Sequence, residues 1–230
     1  DAFASSRTPS GDAALEGIFA LPRGTRTGNM LHQLYENLCF QSGPTEILDK
    51  VTLCLSNNNL SANDWGTVVS EHTLELFACD LGEGVRLANV TQKQRLNELE
   101  FHFQISKITV LGLETFFETH GLPWRQDRFD FYPVEGFLKG FIDLVFECQG
   151  KFYVADYKSN FLGGQIEDYH HDRLLEAMQD SNYVLQYHLY VVALHRYLQY
   201  RLGDRYNYDV HMGRRILPLC ARYCPVSWPG

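Results

Sequence analysis

Two aspartates and a lysine, Asp143, Asp156 and Lys158, fall in the stretch GFLKGFIDLVFECQGKFYVADYK, which runs from Gly136 to Lys158. The stretch reads as two β-rich runs around Gln149-Gly150. A two-residue turn there, or a four-residue loop from Cys148 to Lys151 in the same register, sets Asp143 directly opposite Asp156. Opposed residues of an antiparallel pair share a face, with Cβ atoms roughly 4.5–5.5 Å apart. Lys158 lies two residues beyond Asp156 and shares that face. Val145 and Val154 make the surroundings apolar, and there two carboxylates cannot both stay ionised cheaply. A divalent cation removes the penalty, and oxygen or oxygen-plus-imidazole ligands suit magnesium or manganese. A lysine beside it can offset charge on a phosphate or orient water, while the metal generates hydroxide and polarises the phosphoryl oxygen. The chemistry this favours is hydrolysis of a phosphodiester. The other reading of the same residues is a surface ion-pair patch.

The elements that must position these side chains follow from periodicity. Met30, Leu31, Leu34, Tyr35 and Leu38 recur at helical spacing after Thr27 and Gly28, with His32 in the first turn. Residues 41–90 look helical in pieces around the polar break SNNNLSAND, and one helix could start near Asn63. Leu99 to Ile105 alternates as a strand would, with Glu98 and Glu100 on one face and Leu99 and Phe101 on the other. A helix is expected from about Asp180 to Arg201, where Tyr183, Gln186, Tyr187, Tyr190, Leu194 and Tyr197 share a face. Residues 1–20 are rich in Ser, Gly and Ala and read as a linker.

A chain of 230 residues can bury one sizeable core or two small ones. Its net charge of −8 argues against a protein that simply coats DNA, yet it suits a metal enzyme built on carboxylates. No apolar run reaches the roughly 20 residues that span a bilayer, and the start does not read as a signal peptide. A cytoplasmic protein with no membrane contact is the expectation. The six cysteines are scattered, which favours reduced thiols over a disulfide scaffold or a zinc site. The first residue is not Met, so a start inside a longer polypeptide is expected. His170-His171 reads as a solvated pair.

GFIDLV followed by ADYKSN resembles the D…D/E-x-K motif of restriction-endonuclease-like nucleases. More closely, GFLKGFIDLVF, DYKSN and LQYHLYVVALHRYL resemble the nuclease domain of the RecB family, the beta subunit of bacterial exodeoxyribonuclease V, from about Leu21 to His211. The resemblance implies an α/β fold with a restriction-endonuclease-like nuclease core, a mixed central sheet flanked by helices. It implies a nuclease domain over residues 21–213. The implied activity is magnesium-dependent (manganese possible) exonucleolytic cleavage of DNA within a helicase–nuclease complex of double-strand-break repair and recombination. Asp143, Asp156 and Lys158 would be catalytic. Gly28 and His32 match an upstream G-x-x-x-H, which makes His32 a metal ligand beside Asp143, Asp156 and the backbone carbonyl of Tyr157. Gln186 and Tyr190 match a Q-x-x-x-Y helix motif that contacts DNA. Glu100 matches a strand acid, with an exposed carboxylate as its alternative. The implied partners are DNA, RecC-like and RecD-like subunits and the recombinase RecA. Some relatives carry an iron–sulfur cluster, but no triplet of close cysteines follows Lys158, so none is expected. With no phosphate-binding loop here, ATP belongs to a helicase region ahead of this segment.

The resemblance fails after His211-Met-Gly213. The family continues H-x-G-G-x-x-Y-L-F-x-R-G as a core strand, whereas this chain reads RRILPLCARYCPVSWPG. Reading the codons from the second nucleotide of the Gly213 codon permits G-G-V-F-Y-L-F-V-R-G-I, which restores the strand. Residues 214–230 are therefore expected to be an out-of-frame tail that is irregular and leaves a sheet edge unpaired, with Pro218, Pro225 and Pro229 opposing a strand. Two rival functions stand beside the nuclease: a catalytically inactive docking module of the same shape, and a stand-alone nuclease of the same superfamily.

Overall fold

The computed structural model describes residues 15–122, 134–170, 173, 174, 176, 177 and 183–220, with backbone alone at 105–107, 134, 135 and 214–220. The linker reading of residues 1–14, and the expectations for His171, Cys224, Pro225 and Pro229, lie outside these residues. Gly17–Ala20 already forms a 3-10 turn with Ile18 buried, so the folded part begins before Leu21.

Three helices follow: α1 (Thr25–Asn37), α2 (Pro44–Asn57) and α3 (Ala62–Ala78). α2 starts with Pro44 in its first turn, where the missing N–H costs nothing. α3 starts on Ser61, whose hydroxyl accepts from the Asp64 amide. The polar break that blurred this region in the sequence is the α2–α3 turn, where Asn59 takes a positive φ.

The sheet is mixed. β1 (Arg95–Ile108), β2 (Val134–Cys148), β3 (Lys151–Lys158) and β4 (Met212–Cys220) lie in that order. The first three are antiparallel, and β4 runs parallel to β3. Between β1 and β2 lies α4 (Val110–Thr119), and α5 (Tyr183–Leu202) crosses back between β3 and β4. Gln149 and Gly150 both have positive φ, as a tight two-residue hairpin requires, and the ladder holds the expected register from Cys148–Lys151 to Leu144–Ala155.

Alternation along the strands feeds two cores. Leu144, Phe146, Tyr153, Ala155 and Tyr157 pack on α1–α3, while Val145 and Val154 meet Tyr190, Leu194 and Leu198 of α5. Helices therefore cover both faces. Cys39, Cys54 and Cys148 are free thiols, but Cys79 is disulfide-bonded, against the expectation of reduced cysteines throughout.

The expectation for the tail fails between Arg214 and Cys220. This segment pairs with β3 from Val154–Ile216 to Lys158–Cys220, with Pro218 across from Asp156. The position explains why a proline is tolerated. Among the described residues β4 is the last strand of the sheet, and an edge strand uses only half of its backbone donors in the ladder.

Candidate active site

β2 and β3 pair only as far as Leu144–Ala155, whereas β1 and β2 stay paired out to Ile108–Val134. Asp143 is the first β2 residue past the end of the β2–β3 ladder. The alternation of β2 also slips there, because Ile142 packs with Val145 in the α5 core while Leu144 packs on the other side. Glu98, which the β1–β2 register sets across from Asp143, has φ +51° and is skipped in the pairing. Asp143 consequently does not stand squarely beside Asp156 as the ideal register predicts. Its Oδ2 turns along the sheet and accepts from the Tyr157 amide at 2.9 Å.

That hydrogen bond also orients the Tyr157 carbonyl. An extended residue presents its N–H and C=O to the same neighbouring strand. The carbonyl therefore faces the β2 side, where Asp143 lies. The Tyr157 ring goes the other way, into the α1 side of the core, 5.0 Å from the ring of Tyr35. Its buried hydroxyl is held well above the usual tyrosine range, chiefly by burial.

His32 arrives from α1. A side-chain carbon at Gly28 would lie 2.8 Å from Ser159 Oγ, so glycine lets α1 approach the end of β3 closely. One turn later His32 Nδ1 sits 3.6 Å from Asp143 Oδ2, and its ring meets Tyr157 edge-on at 5.9 Å. This gives the G-x-x-x-H spacing a physical reason.

Asp156 is buried, with 6% of its surface exposed. Burial raises its pKa to about 6, the charge of Asp143 adds to the rise, and Lys158 and His32 oppose it. Lys158 Nζ lies against Asp156 Oδ2. Oδ2 is itself buried, with the Lys158 ammonium as its charged neighbour. Lys158 Nζ donates to Gln186 Oε1 at 3.0 Å and lies 3.9 Å from the centre of the Tyr183 ring. Gln186 Nε2 in turn donates to the Tyr190 hydroxyl at 2.7 Å. Tyr190 is held above its ordinary pKa, first by burial and then by Asp156 and Asp143.

The structure thus brings His32, Asp143, Asp156, Tyr157, Lys158, Gln186 and Tyr190 to one place. It does not bring Glu100. That carboxylate contacts His102 and Lys139 at an exposed position, 3.0 Å from Lys139 Nζ, and the hydrogen bonds from these two side chains hold its pKa below the usual range. Two residues went unrecognised as site neighbours. Glu98 shares a hydrogen bond with Glu36 near His32, and its pKa is raised by burial and by Glu36. Tyr183 caps Lys158. The i, i+4 spacing of His32 and Glu36 was the available signal for the first, because it sets both on one side of α1.

Among the described residues no three His, Cys, Asp or Glu side chains converge closely enough to cage a metal. Asp143 is engaged by the Tyr157 amide and His32, and Asp156 by Lys158. The donor set nonetheless fits a hard cation. Two carboxylates, one of them buried, lie close to an imidazole and to the Tyr157 backbone, and oxygen with imidazole is the donor chemistry such a cation takes.

Comparison with known proteins then bears on this arrangement. The chain is 36% identical to the RecBCD enzyme subunit RecB of Escherichia coli over 201 residues, which is 84% of the chain and 16% of that subunit. The RecB subunit of Haemophilus influenzae gives 36% over 204 residues, 85% of the chain and 16% of the subunit. This chain is similar to a segment of RecB. The RecB subunit of Mycolicibacterium smegmatis extends the likeness to 91% of the chain at 29% identity. The chain spans 16% of the length of the first two RecB relatives. No protein-family model matches it. Among the described residues no helix is long and apolar enough to cross a membrane.

Proposed function

We propose that this RecB-like chain is a metal-dependent DNA nuclease unit of the restriction-endonuclease-like type, an exodeoxyribonuclease of the exodeoxyribonuclease V kind. The reading rests on one observation above all, the meeting of Asp143, Asp156 and Lys158 where β2 and β3 part. The RecB likeness supports it. Magnesium, or manganese in its place, would be held by His32, Asp143, Asp156 and the Tyr157 carbonyl, and would supply an activated water and a polarised phosphoryl oxygen. The side chains do the positioning. The Tyr157 amide fixes Asp143, with His32 beside it. Gln186, itself anchored on Tyr190, holds Lys158 where its charge offsets the negative charge that builds on a phosphate under attack. Burial of Asp156 keeps bulk water from competing for its oxygens.

In this reading the chain works with RecC-like and RecD-like subunits in a helicase–nuclease, as the RecBCD name of its relatives suggests, and the ATP-driven step belongs to another region. DNA is the substrate, and RecA is the recombinase that takes up the processed strand in repair and recombination. The test is cleavage of a 5′-labelled linear oligodeoxynucleotide by the 230-residue chain in magnesium. Cleavage should stop with EDTA and with Asp156→Ala, with the circular dichroism spectrum unchanged. Cutting that survives Asp156→Ala, or no cutting by the parent chain in magnesium or manganese, would remove the assignment.

A further inference from the structure

Past the Leu144–Ala155 pair, β2 separates from β3 and α5 faces its outer half. The two walls enclose an open cleft of about 320 Å³. Leu138 belongs to the strand wall, Leu185, Gln186, Leu189 and Tyr190 to the helix wall, and the Phe101 ring lies along the cleft from β1. A side-chain carbon at Gly140 would run into that ring, so glycine is what lets the ring lie over β2. Phe101 stacks on Phe103 with ring centres 5.2 Å apart and meets Tyr190 edge-on at 6.1 Å, which fixes its plane.

Three features decide the occupant. The cleft is continuous with the candidate active site, because Gln186 is at once part of its wall and the partner of Lys158 Nζ at 3.0 Å. Its walls offer flat aromatic and branched aliphatic surface. Its rim cation, Lys139, is already paired with Glu100 at 3.0 Å, so the cleft does not offer free positive charge to a phosphate. Apolar faces with a few polar groups at one end suit the flat face and polar edge of a nucleobase.

We propose that this cleft takes an unpaired nucleobase of the strand being cut, from a nucleotide next to the phosphate at Lys158. The proposal rests on the nuclease reading and adds to it the subsite that grips the strand. A base within a duplex is stacked and paired and cannot enter, so the cleft requires a separated strand. Contacts made through stacking tolerate all four bases.

An abasic scan of the substrate tests this without disturbing the fold. A single-stranded oligodeoxynucleotide carrying one abasic site at successive positions is bound to the chain in calcium, which shares magnesium's preference for oxygen ligands. Cleavage of the same set is followed in magnesium. Loss of one base from a stacking subsite should weaken binding on the order of ten- to a hundred-fold at one position beside the cut. In the Leu185→Ala, Leu189→Ala double variant, binding of the intact strand should weaken, and the abasic site at that position should add little further. A flat scan with normal cutting, or losses that simply multiply, would overturn the cleft assignment and leave the nuclease reading standing. Failure of the parent chain to bind or cut DNA at all would overturn both.

Discussion

The backbone amide of Tyr157 donates to the carboxylate of Asp143 at 2.9 Å, where β2 and β3 part. One hydrogen bond thereby ties the residue between Asp156 and Lys158 to the acid on the other strand. Asp143→Asn keeps an acceptor for that amide, and Asp143→Ala does not. Leaving a buried amide unpaired costs about 1–3 kcal/mol. We expect Asp143→Ala to be less stable than Asp143→Asn by that order in urea denaturation. Both should lack nuclease activity. Equal stabilities would show that the amide finds another acceptor.

Asp156 gives a pH prediction with a definite sign. Its folded pKa, about 6, lies above the ordinary 3.8. A raised carboxyl pKa means that the folded state binds the proton more tightly than the unfolded chain. Its contribution is then fully present below pH 3.8 and is lost as pH rises through about 6. Asp156→Asn removes the cost of the buried charge, so in EDTA the variant should be the more stable above pH 7, by up to ~3 kcal/mol. The gap should close as pH falls from 7 to 4. Thermal melts of both proteins across that range check it, and a gap independent of pH would mean that Asp156 ionises in the fold at its ordinary pKa.

Lys158→Gln should leave the proposed metal ligands in place. Calorimetric magnesium binding is expected to persist while turnover falls by roughly 10²–10³, the usual cost of losing one charge-stabilising donor. Gln186→Ala frees Lys158 from its 3.0 Å partner without removing its charge, so its loss in turnover should be the smaller of the two. Loss of metal binding in Lys158→Gln would assign the lysine a structural role.

Much of this arrangement was legible in the residues. The hairpin register followed from Gln149-Gly150, and its positive φ values match the turn. The tyrosine-rich helix followed from its spacing. What the sequence hid was the slip at Glu98 and Asp143. Period-two reasoning assumes unbroken alternation, and a positive φ at a glutamate is set by tertiary contacts and not by residue type. The same slip separates Glu98, near His32, from Glu100, which pairs with Lys139. Motif matching chose the exposed acid because both sit in one short run. The disulfide at Cys79 was equally hidden, since spacing along the chain does not reveal which thiols meet.

Gly140 is a second place where backbone and ring fit closely. Gly140→Ala would push its methyl into the outer edge of the Phe101 ring, so the ring would have to shift from its stack on Phe103. We expect a loss of about 1 kcal/mol, the low end of the range for overpacking, because the site is half-exposed. Adding Phe101→Leu should recover most of it. A neutral Gly140→Ala in chemical denaturation would show that the ring has room to move.

The last prediction concerns β4. Its backbone lies parallel to β3 over the stretch that carries Asp156, Tyr157 and Lys158, so the site depends on an edge strand that holds a proline. Pro218 cannot donate to a ladder, and Arg214-Arg215 puts two charged residues in the first half of the strand. The alternative reading frame, G-G-V-F-Y-L-F-V-R-G-I from position 213, has no proline and supplies β-branched and aromatic residues, which favour strands. We propose that a single inserted nucleotide near Gly213 separates the two versions. If so, replacing residues 213–223 with that sequence should raise the melting temperature. A gain of about 1 kcal/mol from the better strand formers corresponds to ~2–4 °C in a chain of this size. Nuclease activity should rise with it, because β4 flanks the strand that bears the site. A lower melting temperature in the replaced protein would mean that RRILPLC already suits this edge. Sequencing of the source gene that confirms the present frame would make the tail genuine.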